Sequence, residues 1–157
     1  MWMKRWILIS LTLVPFIAGH IINSTLAIPV LGIALYYVLP LLTTVFWFWL
    51  ARQYARNWRT IPALLIGNGA GIFALFFDLW QRTGGSDSTI NLTLAYVSQL
   101  FSNSAPTYLL AKVAVLFEKQ PNFVGERAII ALHILSVLYM AGVFFMGMMW
   151  EKKQHKR

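Results

Sequence analysis

The chain has 157 residues, of which 59% are hydrophobic and only 11% are charged. Charged residues make up about 25% of a typical soluble domain, so this composition excludes an ordinary soluble globular protein. We therefore predict an all-α integral membrane protein, and the absence of cysteine excludes disulfides, thiolate metal sites and cysteine nucleophiles. A net charge of +8 would indicate nucleic acid in a soluble protein. Here the basic residues flank apolar runs, so we expect lipid as the partner and no nucleic acid.

The first predicted transmembrane span covers residues 6–22 and follows two basic residues, Lys4 and Arg5. Two interpretations stay open, a retained span or a cleaved signal peptide with residues 25–27 as its cleavage site. We favour the retained span, because the apolar run is longer than the core of about 7–15 residues in a signal peptide. The run also contains Pro15.

The second and third predicted spans, 28–50 and 61–80, are separated by a short loop at 51–60. The loop contains three arginines and no acid, and short basic loops stay on the cytoplasmic side of a membrane. We expect its arginines to contact lipid headgroups, or alternatively an acidic cytoplasmic partner. These arginines are Arg52, Arg56 and Arg59.

Small residues recur at four-residue spacing in the third span, at Ala63, Gly67 and Gly71. Such a stripe lets a second helix approach closely, which is how helices associate in lipid. The pattern predicts a helix-packing face and, through it, a homo-oligomer or a complex with another membrane protein. Asn68 beside this stripe is expected to form an interhelical hydrogen bond rather than to bind a substrate.

The region from 81 to 127 is predicted to be external, and within it residues 90–117 are difficult to assign. Polar residues and Pro106 interrupt this stretch, which is typical of an external amphipathic or re-entrant segment but also fits a broken fifth span. The last span is predicted at 128–149, and the tail at 150–157 is basic.

The distribution of charge distinguishes four spans from five. With four spans both termini are cytoplasmic, and nine of the thirteen Lys and Arg residues lie on the cytoplasmic side. A fifth span would place the basic tail outside, against the rule that short basic flanks stay inside. We therefore predict four transmembrane helices in one domain of the cell (plasma) membrane, with five as the alternative.

Four polar residues lie near the predicted outer surface: His20, Asp78 and His133 at a similar depth within the spans, and Arg82 just beyond the third span. Ionisable residues within a span are costly, so they usually find partners or face water. A cluster of imidazoles and a carboxylate can transfer protons or hold a divalent metal. The residues do not have the spacing of a known metal motif, and side chains near a membrane edge can reach water. We therefore expect no metal, no cofactor and no catalytic residue.

The pattern as a whole favours a non-catalytic structural, accessory or regulatory membrane component. One alternative is a transporter or a transporter subunit, supported by Pro15, Pro40 and the interrupted stretch around Pro106, since broken helices often line a transport path. The other is a membrane enzyme that uses His20 and His133.

Overall fold

The computed structural model describes residues 2–84, 91–114 and 125–155. Every regular element in these ranges is helical. The α-helices are α1 (Trp2–Leu11), α2 (Val14–Thr25), α3 (Leu31–Asn57), α4 (Thr60–Gly84), α5 (Leu92–Asn103), α6 (Ala111–Ala114) and α7 (Glu126–Gln154), and a 3₁₀ helix covers Pro106–Leu110. Parts of the predicted external region, residues 85–90 and 115–124, lie outside the described residues, as do the last two residues of the predicted tail.

Four helical stretches of the described chain are long and apolar enough to cross a membrane: Arg5–Thr25, Leu31–Asn57, Thr60–Arg82 and Glu126–Gln154. The prediction of an all-helical chain with four such helices is thus confirmed. Contacts between their ends define two ends of the bundle. At the Asp78 end, the last turns of α4 meet the start of α7. At the Glu151 end, the last turns of α3 and α7 meet.

The helices extend beyond the predicted spans. α3 continues to Asn57, so only Trp58 and Arg59 remain of the loop predicted at 51–60. The reason is that Ala51 and Tyr54 are buried and continue the inward-facing stripe of the helix. Their burial stabilises the additional helical turns. α7 likewise continues through Gln154, into the predicted tail.

A proline divides the first apolar run into two helices. α1 ends at Leu11 and α2 begins at Val14, with Pro15 in its first turn. Proline has no amide hydrogen and clashes with the preceding turn, so it interrupts a continuing helix but fits the start of a new one.

Residues 92–114, which we call the inserted segment, pack against several helices of the bundle and are buried in their central part. α5 contacts α2, α4 and α7, and the 3₁₀ helix contacts α3 and α7. Its central residues, Phe101 to Ala105, are all buried. Close contacts fix its position, because Gly19 of α2 lies against the Leu100 carbonyl and Gly71 of α4 lies against the Phe101 ring.

Aromatic side chains fill the centre of the bundle. The Trp47 ring lies 5.9 Å from Phe101 and 5.5 Å from Phe144, measured between ring centroids. These phenylalanine rings pack on the small-residue stripe of α4: Phe144 contacts Gly67, and a Cβ at Gly71 would lie only 2.5 Å from Phe101 Cζ. Because Ala63 is also fully buried, this stripe packs against the chain's own helices. The predicted homo-oligomer or complex with another membrane protein stays a prediction.

Candidate functional site

The carboxylate of Asp78 is buried in the bundle and is paired with side chains from two helices. Its side chain is 2% exposed, and Oδ2 lies 2.6 Å from Nδ1 of His133, which is also 2% exposed. Arg82 Nε donates to both carboxylate oxygens, at 3.1 and 3.2 Å. A second carboxylate, Glu126, lies 3.8 Å from the Arg82 guanidinium and is 64% exposed.

Two helices hold this site in place. Asp78 and Arg82 are four residues apart on α4 and therefore share one face. Asp78 continues the buried stripe that runs through Gly71 and Ala74, and His133 lies two turns into α7 on its buried face. The carboxylate thus links α4 to α7 by a hydrogen bond that also orients the imidazole ring.

His20 is not part of this site, although its predicted depth is similar. Its side chain is exposed, and its Nδ1 lies 2.9 Å from the hydroxyl of Tyr96 on α5. α5 packs against both α2 and α4, so the inserted segment separates His20 from Asp78. The predicted group of four is corrected to three residues, and its role stays a prediction.

A second buried carboxylate, Glu151, lies near the opposite end of α7. Its side chain is 2% exposed, with Oε2 2.7 Å from Arg52 Nε and Oε1 2.6 Å from Arg56 Nε. The two arginine side chains are 31% and 47% exposed. They lie four residues apart on α3, so this site links α3 to α7 as the Asp78 site links α4 to α7.

The arginines of the predicted loop therefore separate into two kinds. Arg52 and Arg56 have an acidic partner within the chain, whereas Arg59 is exposed and has no acidic partner among the described residues. The predicted contact of these arginines with lipid or with an acidic partner stays a prediction.

The expected interhelical hydrogen bond of Asn68 is not seen in the described ranges. Its amide nitrogen donates to the Leu64 carbonyl of the same helix at 3.0 Å. Its side-chain oxygen is buried without a hydrogen-bond partner among the described residues. Asn68 therefore links no two helices in this part of the chain.

The side chains of the Asp78 site can form ion pairs and exchange protons. Within residues 2–84, 91–114 and 125–155, no three His, Asp or Glu side chains are grouped closely enough to hold a metal ion. Ser136, one turn beyond His133, donates to the Leu132 carbonyl and shares a hydrogen bond with Thr107 of the inserted segment. Both bonds serve the packing of α7.

Sequence reasoning missed Glu151, which it assigned to a solvated tail. Met140, Phe144 and Met148 are buried at helical spacing, and Glu151 continues the same stripe. Had the helix been extended past residue 149, this periodicity would have placed the carboxylate inward. Tyr96, the partner of His20, carries no comparable signal, because only the position of the inserted segment brings the two together.

No protein-family model, curated protein or solved structure matches this chain.

Proposed function

We propose that this chain is a non-catalytic component of the cell membrane with a structural, accessory or regulatory role. The observation that carries this proposal is that both buried carboxylates of the described residues are paired with basic side chains of the same chain. Asp78 is paired with His133 and Arg82, and Glu151 is paired with Arg52 and Arg56. Buried charges paired in this way join helices, and neither of these two carboxylates is free to act on a substrate.

The packing of the interior supports the same proposal against a transporter. The rings of Trp47, Phe101 and Phe144 pack together in the centre of the bundle, and residues 101–105 of the inserted segment are buried. A wild-type protein in sealed proteoliposomes is therefore expected to pass protons and small cations no faster than protein-free vesicles. A flux that D78N abolishes while E126Q preserves it would contradict a non-transporting role.

Both termini are proposed to be cytoplasmic. Positively charged side chains collect at the Glu151 end, and short basic flanks stay on the cytoplasmic side. Arg5 belongs to this end, because its guanidinium donates to the Asn57 carbonyl at 3.2 Å.

Cysteine labelling tests this orientation, since the chain has no native cysteine. An impermeant thiol reagent should label Q154C only after the cells are opened, and it should label E126C in intact cells. The reverse result would invert the proposed topology.

One observation favours a second candidate, a membrane enzyme or proton carrier. The 2.6 Å contact between His133 and Asp78 is the arrangement in which a carboxylate orients a catalytic imidazole. On this hypothesis H133Q abolishes a cellular phenotype at normal protein level, whereas H20Q, which changes the exposed histidine, does not. If H133Q cells behave as wild type, the hypothesis is removed.

A further inference from the structure

A basic pocket opens at the Glu151 end of the bundle, between α1, the connection from α3 to α4, and α7. It has a volume of about 620 Å³, and its charged lining consists of Arg5, Arg56, Arg59 and Lys152. Trp58 forms part of its wall. The residues that line it therefore supply four cations and no acid.

Three of these cations lack an acidic partner among the described residues. Arg56 is paired with Glu151, which also binds Arg52. Arg5 instead donates to the Asn57 carbonyl and lies 5.5 Å from the centre of the Trp58 ring. Lys152 donates to the Thr60 hydroxyl, and Arg59 is exposed. Like charges held this closely repel one another, so an anion bound among them would be favoured.

An apolar groove adjoins this pocket. It has a volume of about 700 Å³ and is lined by Phe48, Phe145, Met149 and Trp150, among others. Lys152 lines both the groove and the pocket. A phosphate in the pocket and a hydrocarbon chain in the groove would thus occupy neighbouring sites, which is the arrangement of groups in one phospholipid molecule.

We propose that this end of the bundle binds one anionic phospholipid, with its phosphate held by Arg5, Arg59 and Lys152 and an acyl chain in the adjoining groove. Arginine and lysine are the usual ligands of phosphate groups, and basic pockets between membrane helices bind anionic headgroups. The inference rests on the membrane insertion included in the proposed function. It is independent of orientation and of any partner.

The test measures lipid retained by the purified protein. Flotation with phosphatidylcholine vesicles first establishes that each variant inserts, so a failure of membrane insertion is recognised separately. Native mass spectrometry then quantifies bound phosphatidylglycerol against phosphatidylcholine for the wild type, R59Q, K152Q and R127Q. R127Q removes one exposed arginine at the other end of α7 and is the matched control for net charge.

We expect R59Q and K152Q each to retain about fivefold less phosphatidylglycerol than wild type, which is the usual worth of one basic group near an anionic lipid. R127Q should retain as much as wild type. R59Q is the more decisive variant, because an exposed side chain is not needed for folding. Equal retention by all four proteins would overturn the site. Complete displacement of the lipid by millimolar inorganic phosphate would overturn the assignment to a phospholipid.

Discussion

Each end of the bundle contains a buried carboxylate, but the two carboxylates are shielded from water in different ways. Each carboxylate is 2% exposed. Asp78 is bound to Arg82 and His133, and Glu151 is bound to Arg52 and Arg56, with His155 at 3.5 Å. At the Asp78 end the partners are enclosed by helices, with Arg82 only 19% exposed. At the Glu151 end the carboxylate is covered by Arg52 and Arg56, whose side chains reach the surface.

The difference shows that a low exposed fraction has two physical meanings. A carboxylate enclosed by helices cannot regain water when its partners are removed, so its pairing is essential. A carboxylate covered by flexible arginines is rehydrated when they move, so its pairing is worth little more than that of a surface ion pair. Four experiments test this distinction, in order of decreasing expected effect.

The largest effect is expected from removing the enclosed carboxylate. Asp78→Ala removes the carboxylate that the buried His133 and the mostly buried Arg82 contact, and losing one side of a buried pair costs about 3 kcal/mol. The free energy of unfolding, measured by reversible denaturation in mixed micelles, checks this value. Glu126→Ala is the control, since this side chain is exposed and its loss should cost under about 0.5 kcal/mol.

The next effect concerns the packing of the inserted segment at the Asp78 end. Gly71→Ala places a methyl group against the Phe101 ring, and overfilling a packed interior costs about 2 kcal/mol. Gly69→Ala is the matched control on the same helix, because nothing lies within 4 Å of its added Cβ. That control should be neutral or up to about 1 kcal/mol more stable through helix propensity. Equal unfolding free energies of the two variants would show that Phe101 is free to move aside.

A smaller effect is expected at the other carboxylate. Glu151→Ala leaves two arginines that already reach the surface, so the loss should be about 1 kcal/mol. The same denaturation measurement applies. If Glu151→Ala costs as much as Asp78→Ala, the distinction between enclosed and covered carboxylates is wrong.

The smallest effect is a difference in response to salt. Raising the ionic strength from 0.1 to 1 M shortens the screening length from about 10 to about 3 Å, which weakens exposed ion pairs more than enclosed ones. The cost of Glu151→Ala should fall by about 0.5 kcal/mol in 1 M NaCl, while the cost of Asp78→Ala should stay the same. Parallel changes in both would indicate that the two sites are equally open to solvent.

The helical class and the four long apolar helices were predictable because each depends on a continuous stretch of chain. The ends of these helices were not, since the turns at 51–57 and 150–154 are stabilised by contacts between α3 and α7. The inserted segment was recognised as unusual from its polar residues and Pro106. Its position between α2 and α4 depends on the shapes of the helix surfaces, because the absence of a side chain at Gly19 and Gly71 leaves room for it.

The candidate site was only partly predictable. The depth of a residue along a helix can be counted from the sequence, and on this basis we predicted a group of four residues. Asp78 contacts Arg82 and His133, whereas His20 contacts Tyr96 instead. The rotation of each helix about its axis decides which side chains meet, and it depends on packing against neighbours. For the same reason, the small-residue stripe predicted close packing without indicating that the chain's own phenylalanines supply it.

The amino-acid sequence by itself determined that this protein is helical, that four of its helices are long and apolar enough for a membrane, and that its cations favour one end. These are properties of hydropathy and charge summed along the chain. Only the tertiary structure decided which acid meets which base, that α5 separates His20 from Asp78, and that Glu151 is covered by arginines. Such pairings join residues far apart in sequence, and they are set by the way helices pack around the aromatic centre.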